Sequence, residues 1–132
     1  MIVAEIYLNM INSTEAPKRV RETLVGFPPR ITAAYLAFAE SGEPADLDVV
    51  VLGVLQFCLA KKPKVSIDTL PGSTRLTDDL GCDSLTMLEA VFMVESLFDI
   101  DIDDRDLVRL KTIDDLRDLL RQLVLVGAKA AA

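Results

Sequence analysis

The chain has no histidine and no tryptophan, and its 132 residues include only two cysteines. Each gap excludes some chemistry. Without histidine, this chain alone cannot assemble a Ser-His-Asp triad, a Cys-His pair or a histidine-rich zinc site. Cys58 and Cys82 are far apart in sequence and fit no metal motif. Two thiols, with no basic, cleavable leader in residues 1–10, give the expectation of a reducing cytoplasm. Bases are scarce too: 14 Lys and Arg face 21 Asp and Glu, a net charge of −7. Nucleic-acid binding needs a basic footprint and is excluded on that ground. The expected partners are basic proteins. Long apolar runs are also missing. The longest, Val49 to Ala60, is interrupted by Gln56 and is too short to span a bilayer.

What is present suits one domain of ordinary size, with 51% hydrophobic residues. The acids cluster. Between Asp78 and Asp106 there are ten of them and one base, Arg105. The hydrophobic pattern is helical throughout, because no segment alternates as a half-buried strand would. The β-branched Val49-Val50-Val51 leaves a buried strand as the alternative at that point. The expected class is all-α.

Punctuation divides the chain. Residues 2–11 are apolar but weakly patterned. Residues 15–25 set Ala16, Val20 and Leu24 on one helix face, and Gly26 with Pro28-Pro29 ends that helix. Pro29 opens the next, with Ile31, Ala34, Tyr35 and Phe38 as its apolar stripe and Gly42 as its stop. A third helix is expected from about Asp46 to Lys61, with Asp46 or Asp48 as N-cap. It is apolar on nearly every side and needs covering on more than one. A long loop, 63–82, contains the Pro71-Gly72-Ser73 turn. Helices then follow from Asp83 or Ser84 to Phe98, from Asp103 to Leu110, and after Thr112. Thr112 and Asp115 form a capping-box pair. Leu116, Leu119, Leu120 and Leu123 make the last buried stripe, with Arg117, Asp118 and Arg121 facing out. Residues 125–132 read as a flexible tail.

The segment Leu80-Gly81-Cys82-Asp83-Ser84-Leu85 carries the functional information. Asp-Ser-Leu alone arises by chance in about one chain in twenty of this size, and with Leu80 and Gly81 in about one in three thousand. Ser84 falls where a long loop meets an amphipathic helix. One reading is that Asp83 or Ser84 simply caps that helix. Another is that a phosphate on Ser84 is favoured by unpaired N–H groups and the positive end of the dipole. A catalytic serine lacks a histidine or a usefully spaced lysine. Cys82 reads as structural, since Asp83 beside it raises its pKa. The acidic turn from Asp99 fails as a calcium loop, with Asp104 and Leu110 where Gly and Glu are needed. It reads as a solvated loop with Ile100 or Ile102 turned inward.

From Leu80 to Leu120 the sequence resembles the acyl carrier protein family. The matching features are an LGxDSL box, an acidic amphipathic helix ending in Phe98-Asp99, an isoleucine-rich acidic turn, a short helix and a Thr-capped last helix. They occur in the family's order, and with the helix at 46–61 the likeness covers 46–124. The resemblance implies a four-helix bundle with a short third helix. Residues 1–45 lie outside the likeness and are expected to be a helical extension packed on the bundle, since the apolar helix at 49–60 needs that cover. The resemblance implies that a phosphopantetheinyl transferase, using coenzyme A, attaches 4'-phosphopantetheine to Ser84, with Asp83 and Leu85 flanking it in the box. The protein is then a carrier of thioester-bound acyl groups and not an enzyme.

The resemblance also implies docking of basic patches on acyl-transferring or condensing enzymes along the helix after Ser84. Glu89 and Glu95 match acidic positions there, and Leu88 and Phe92 match apolar ones. Read from spacing alone, Leu85, Leu88, Val91, Val94 and Phe98 include that helix's core face. Fatty-acid, polyketide or related lipid synthesis is the expected setting. Two alternatives are a peptidyl or aminoacyl carrier, which more often has a Gly-Gly pair where this chain has Gly81-Cys82, and an unmodified carrier-like interaction module.

Overall fold

A Pro-Pro step, two glycine stops and three side-chain caps punctuate the fold. The structure is a computed structural model and describes residues 18–126. The elements are α1 (Lys18–Val25), α2 (Pro29–Ser41), α3 (Pro44–Cys58), a 3₁₀ turn (Ile67–Thr69), α4 (Ser84–Phe98), α5 (Asp104–Leu107) and α6 (Ile113–Arg121), which widens into a π turn (Gln122–Val126). Among the described residues there is no strand, only one antiparallel bridge between Arg75 and Thr112. Among those same residues no helix is long and apolar enough to cross a membrane. The expected helix at 2–11, Ala16 and the tail beyond Val126 lie outside the described residues.

The core is built around α3. Leu47, Val50, Val51, Leu52, Val54 and Leu55 are all buried, an arc of about 200° at a helical turn of roughly 100° per residue. The helix is accordingly covered by α2, α4, α6 and the 3₁₀ turn. The α2 contact is close. A Cβ on Gly53 would come within 2.8 Å of Ile31 Cγ1. Ile31 and Ala34 are buried in that seam, so the helices before residue 45 pack on the bundle. Tyr35 and Phe38 extend the contact to the ring of Phe98, and Tyr35 donates to the Leu97 carbonyl at 3.0 Å.

Three expectations need correction. The N-cap of α3 is Glu43, with no side-chain cap bond, and neither Asp46 nor Asp48 caps it. Pro44 at the first helical position starts the helix earlier, because its fixed φ suits a helix and its missing N–H needs no partner there. Asp48 is instead buried inside the helix and forms a two-point ion pair with Arg121, Nε to Oδ1 at 3.0 Å and Nη2 to Oδ2. Arg121 is therefore only partly outward, and its guanidinium ties the end of α6 to the start of α3. The end of α3 comes at Cys58 and not Lys61: Lys62 folds back to donate to the Gln56 and Phe57 carbonyls, and Pro63 follows. Gln56, which broke the apolar run, accepts the Ile67 N–H at 3.0 Å and so anchors the long loop.

The seam at Gly53 generates a stability prediction. Truncating Ile31 to Ala should cost about 2–4 kcal/mol, the range for a buried large-to-small change. Gly53→Ala should destabilise the wild-type chain by forcing Ile31 aside. In the Ile31→Ala background the same substitution should stabilise by up to about 1 kcal/mol, the helix-propensity gain of Ala over Gly. Urea denaturation of the four proteins of this cycle checks the sign reversal.

Candidate functional site

The long loop must return the chain to the start of α4, and backbone hydrogen bonds fix its path. The Leu76 N–H donates to the Lys111 carbonyl at 2.9 Å. From the other side, Ile113 N–H reaches Thr74 O at 3.0 Å and Asp114 N–H reaches Gly72 O at 2.9 Å. The loop is thus clamped on the N-terminus of α6, whose own start is held by the expected capping box between Thr112 and Asp115. Gly72 lets the Asp114 carboxylate lie against the turn, since a Cβ there would come within 2.1 Å of it and push that exposed side chain aside. Arg75 tightens the turn through ion pairs to Asp78 and Asp79, at 3.3 and 3.1 Å. The side chains of Ile67, Leu76 and Cys82 bury the loop against the core.

Gly81 and Asp83 make the last step to the helix. Gly81 has φ +70° and nothing within 4 Å of where a Cβ would sit, a left-handed turn in open surroundings. Its N–H bonds Thr77 O at 3.0 Å, and the Cys82 N–H bonds Leu76 O at 2.9 Å. Asp83 then caps α4, its carboxylate accepting the Thr86 N–H at 2.8 Å. The capping residue is therefore Asp83, and Ser84 is the first residue of the helix, exposed. Accepting the Thr86 N–H holds the Asp83 carboxyl below the usual carboxylate range. Burial first, then the Asp83 charge, push the Cys82 thiol up to about 11. It is a packed core residue. Cys58, half-buried beside Met93 Sδ at 3.7 Å, is also raised, chiefly by desolvation.

Beside Ser84 lies an open cleft of about 310 Å³, lined by Thr77, Cys82, Asp83, Ser84, Met87, Leu88, Leu107, Val108 and Leu110. It runs between the first turns of α4 and the end of α5. That helix is shorter than expected, Asp104–Leu107, because Asp103 caps it through the Arg105 N–H at 2.9 Å and the chain then continues in tighter turns to Leu110. Deeper in, a tiny wholly apolar space lies among Val51, Leu55, Met87, Val91 and Leu116.

The face that α4 turns inward shares Val91 and Val94 with the expected one but is otherwise rotated away from it. It is Thr86, Ala90, Val91, Val94 and Leu97. Leu85, Leu88 and Phe92 are exposed, as is Glu89. The rotation follows from the cover: α4 packs on α3 and also on α1, so the Thr86 edge is buried and the Leu85–Leu88 edge is open. Glu95 is half-buried, and its Oε2 accepts the Ile102 N–H at 2.8 Å. Ile102 is the buried isoleucine of the acidic turn. Among the described residues no cluster of acids or thiols is arranged to hold a metal ion. Sequence reasoning missed Gln56 and Glu95 as loop anchors, since a lone amide or carboxylate in a helix signals nothing about a distant N–H.

Two outcomes test this geometry. On acidification the Asp83 cap should weaken. Its folded-state pKa is depressed, so the stabilisation is complete above the unfolded pKa and is lost as pH falls through the folded one. The stability difference between wild type and Asp83→Asn, which caps without titrating, should shift against wild type as pH falls below the ordinary carboxylate range of about 4. For Cys82, a thiol with so high a pKa is ionised in only about one molecule in a thousand at pH 8. Iodoacetamide should leave it unmodified in the folded chain and label it quickly in urea, as read by peptide mass mapping.

The chain is similar to known proteins over its middle and C-terminal parts. The family model for the phosphopantetheine attachment site matches residues 54–120. The acyl carrier protein of Desulforapulum autotrophicum is 40% identical over 58 residues, 44% of this chain and 75% of that protein. That of Bdellovibrio bacteriovorus is 38% identical over 58 residues, 44% of this chain and 74% of that protein. That of Syntrophobacter fumaroxidans is 34% identical over 62 residues, 47% of this chain and 76% of that protein. No solved structure matches significantly.

Proposed function

We propose the role of this chain from one premise: it belongs to the phosphopantetheine-attachment family, the family of the acyl carrier proteins. It is a carrier, not a catalyst, and the family's prosthetic group is 4'-phosphopantetheine. We assign the attachment to Ser84 Oγ, with Asp83 and Leu85 flanking it. The observation that supports this most is the pairing of an exposed serine at the first position of a 15-residue helix with the LGxDSL box around it. A phosphodiester fits there. The Oγ is exposed, the preceding Gly81 turn is open, and the helix N-terminus favours an anion. When bound, the group supplies a terminal thiol that holds an acyl chain as a thioester.

The chain's own residues then have three duties. Asp83 keeps Ser84 at the helix start, the Gly72 and Thr74 carbonyls keep the loop on α6, and the cleft lined by Met87, Leu88 and Val108 offers an apolar floor beside the attachment point. The partners are a phosphopantetheinyl transferase drawing on coenzyme A, then acyl-transferring or condensing enzymes with basic docking patches. Glu89, Glu95, Leu88 and Phe92 are the residues assigned to meet them, with one Glu95 oxygen already committed to the Ile102 N–H. The pathway assigned is fatty-acid, polyketide or related lipid synthesis in the cytoplasm. Gly81-Cys82 in place of a Gly-Gly pair favours acyl over peptidyl cargo. Residues 46–124 are taken as the carrier unit and 1–45 as an extension, whose described helices α1 and α2 pack on it, with the tail taken to begin past the π turn that ends at Val126 and not at residue 125.

Incubating the purified chain with a phosphopantetheinyl transferase and coenzyme A should add one phosphopantetheine by intact mass. Ser84→Ala should add none and melt within a degree or two of wild type, since an exposed substitution costs within about 0.5 kcal/mol. A wild-type chain that stays unmodified with several transferases overturns the assignment.

A further inference from the structure

The chain is acidic as a whole, yet one end of the bundle is not. Segments 22–30 and 54–67 together hold four bases, Arg30, Lys61, Lys62 and Lys64, and one acid, Glu22. The fold brings these segments together where α1 ends, α2 begins and α3 ends. The Phe27 and Phe57 rings meet edge-on with centres 4.9 Å apart, and Lys62 Nζ lies 5.4 Å from the centre of the Phe57 ring. Arg30 donates to Ser66 Oγ at 2.7 Å and pairs with Asp68, the next acid along the loop, at 2.6 Å. From α4, the charge of Glu89 reaches Cys58 and raises its thiol further.

This end also exposes apolar side chains. Val25, Phe57 and Val65 are 61%, 41% and 52% exposed. Lys61, Lys62 and Lys64, all exposed, fall between Phe57 and Val65 in sequence. An open cleft of about 300 Å³ lies here, where Arg30 and Lys62 meet Pro28, Ile31 and Phe57. It shares no residue with the cleft beside Ser84. Two partners suit cations set among apolar side chains: an acidic protein and an anionic lipid surface. The residue types favour the lipid. Lysine is depleted in protein–protein interfaces, where arginine and aromatic anchors recognise the partner. Lysines beside protruding aliphatic and aromatic side chains, with their stems along apolar surface, match the boundary between headgroups and acyl chains. The net charge of −7 does not forbid this contact. At 0.1 M salt, charges more than about 10 Å away are largely screened.

We propose that this end of the bundle is a peripheral docking surface for an anionic membrane. Lys61, Lys62 and Lys64 lie against the headgroups, and Val25, Phe57 and Val65 dip into the boundary below them. The surface is built jointly by the α1–α2 junction and the end of α3, so the helices before residue 45 gain a role besides covering α3. It does not depend on the modification of Ser84.

The test is sedimentation of the full chain with vesicles of phosphatidylglycerol and phosphatidylcholine in equal parts, against vesicles of phosphatidylcholine alone. The chain should pellet with the anionic vesicles only, and its partition coefficient should fall at least about tenfold between about 0.05 and 0.5 M salt. Lys61→Gln combined with Lys64→Gln should lower the coefficient about twenty-fivefold, at roughly fivefold per lysine. Phe57→Ser should lower it about fivefold, and Phe57→Leu, which keeps an apolar side chain, less than about twofold. Arg105→Gln, which removes an exposed base on α5, should change it less than about twofold. Melting curves check that each variant is folded at the assay temperature. Equal binding to both kinds of vesicle, or binding to neither, overturns the proposal. So does an unchanged coefficient in the double lysine variant or in Phe57→Ser. Binding to soluble polyglutamate as strong as to the anionic vesicles, and indifferent to Phe57→Ser, also overturns it and assigns the surface to an acidic protein. None of these outcomes bears on Ser84, whose assignment stands or falls with the phosphopantetheine adduct.

Discussion

The constraint on which the rest depends is the apolarity of α3. A helix that buries six large aliphatic side chains over more than half its circumference cannot rest on one neighbour. Two helices of a small bundle, α4 and α6, cover part of it. The remainder is covered by α2, drawn in until Ile31 touches the Gly53 backbone. The helices before residue 45 are thus required by α3. In the same way the Asp48–Arg121 pair follows from the fold. With α2, α4 and α6 packed around α3, a carboxylate in its first turns is removed from water and needs a partner.

The site is held by a different kind of interaction. Around Ser84 the restraints are single hydrogen bonds: three from the clamp on α6, two from the Gly81 turn, one from the Asp83 cap. Each contributes on the order of 1 kcal/mol net. Their value is geometric. They bring a loop of some twenty residues to one point and leave one hydroxyl outward at a helix start. The apolar anchors Ile67, Leu76 and Cys82 keep that loop from being merely solvated.

Much of this was legible in the sequence. Helix order, the Thr112–Asp115 capping box, the Gly42 stop and the start of α4 at Asp83-Ser84 are local chemistry, where a few adjacent residues decide the outcome. The family likeness rests on the same kind of signal, because the LGxDSL box is contiguous. What sequence missed depends on distant partners. Asp48 read as a cap because its partner Arg121 lies 73 residues away. Gln56 read as a blemish because Ile67 was not yet beside it. The inward face of α4 was misjudged because spacing gives a stripe but not its neighbour. Leu85 and Leu88 look as apolar as Val91 and Val94, and only the packing of α1 and α3 on the other edge decides which pair is buried.

The two kinds of interaction divide the molecule's labour. Apolar burial concentrates at α3 and at the seams it makes with α2, α4 and α6. The loop that presents Ser84 is held mainly by polar contacts and exposed ion pairs, which contribute little stability each. Stability and presentation are therefore separable. Residues lining α3 can be changed only at a cost to the whole fold, whereas Ser84, Leu85, Leu88 and Phe92 project from a helix whose opposite side does the packing. A carrier must be handled by several enzymes in turn, and each needs surface that can be covered and released without disturbing the core. The absent histidine belongs to the same logic. A chain that presents its chemistry on an attached arm needs no base of its own, only a rigid helix start and an open face beside it.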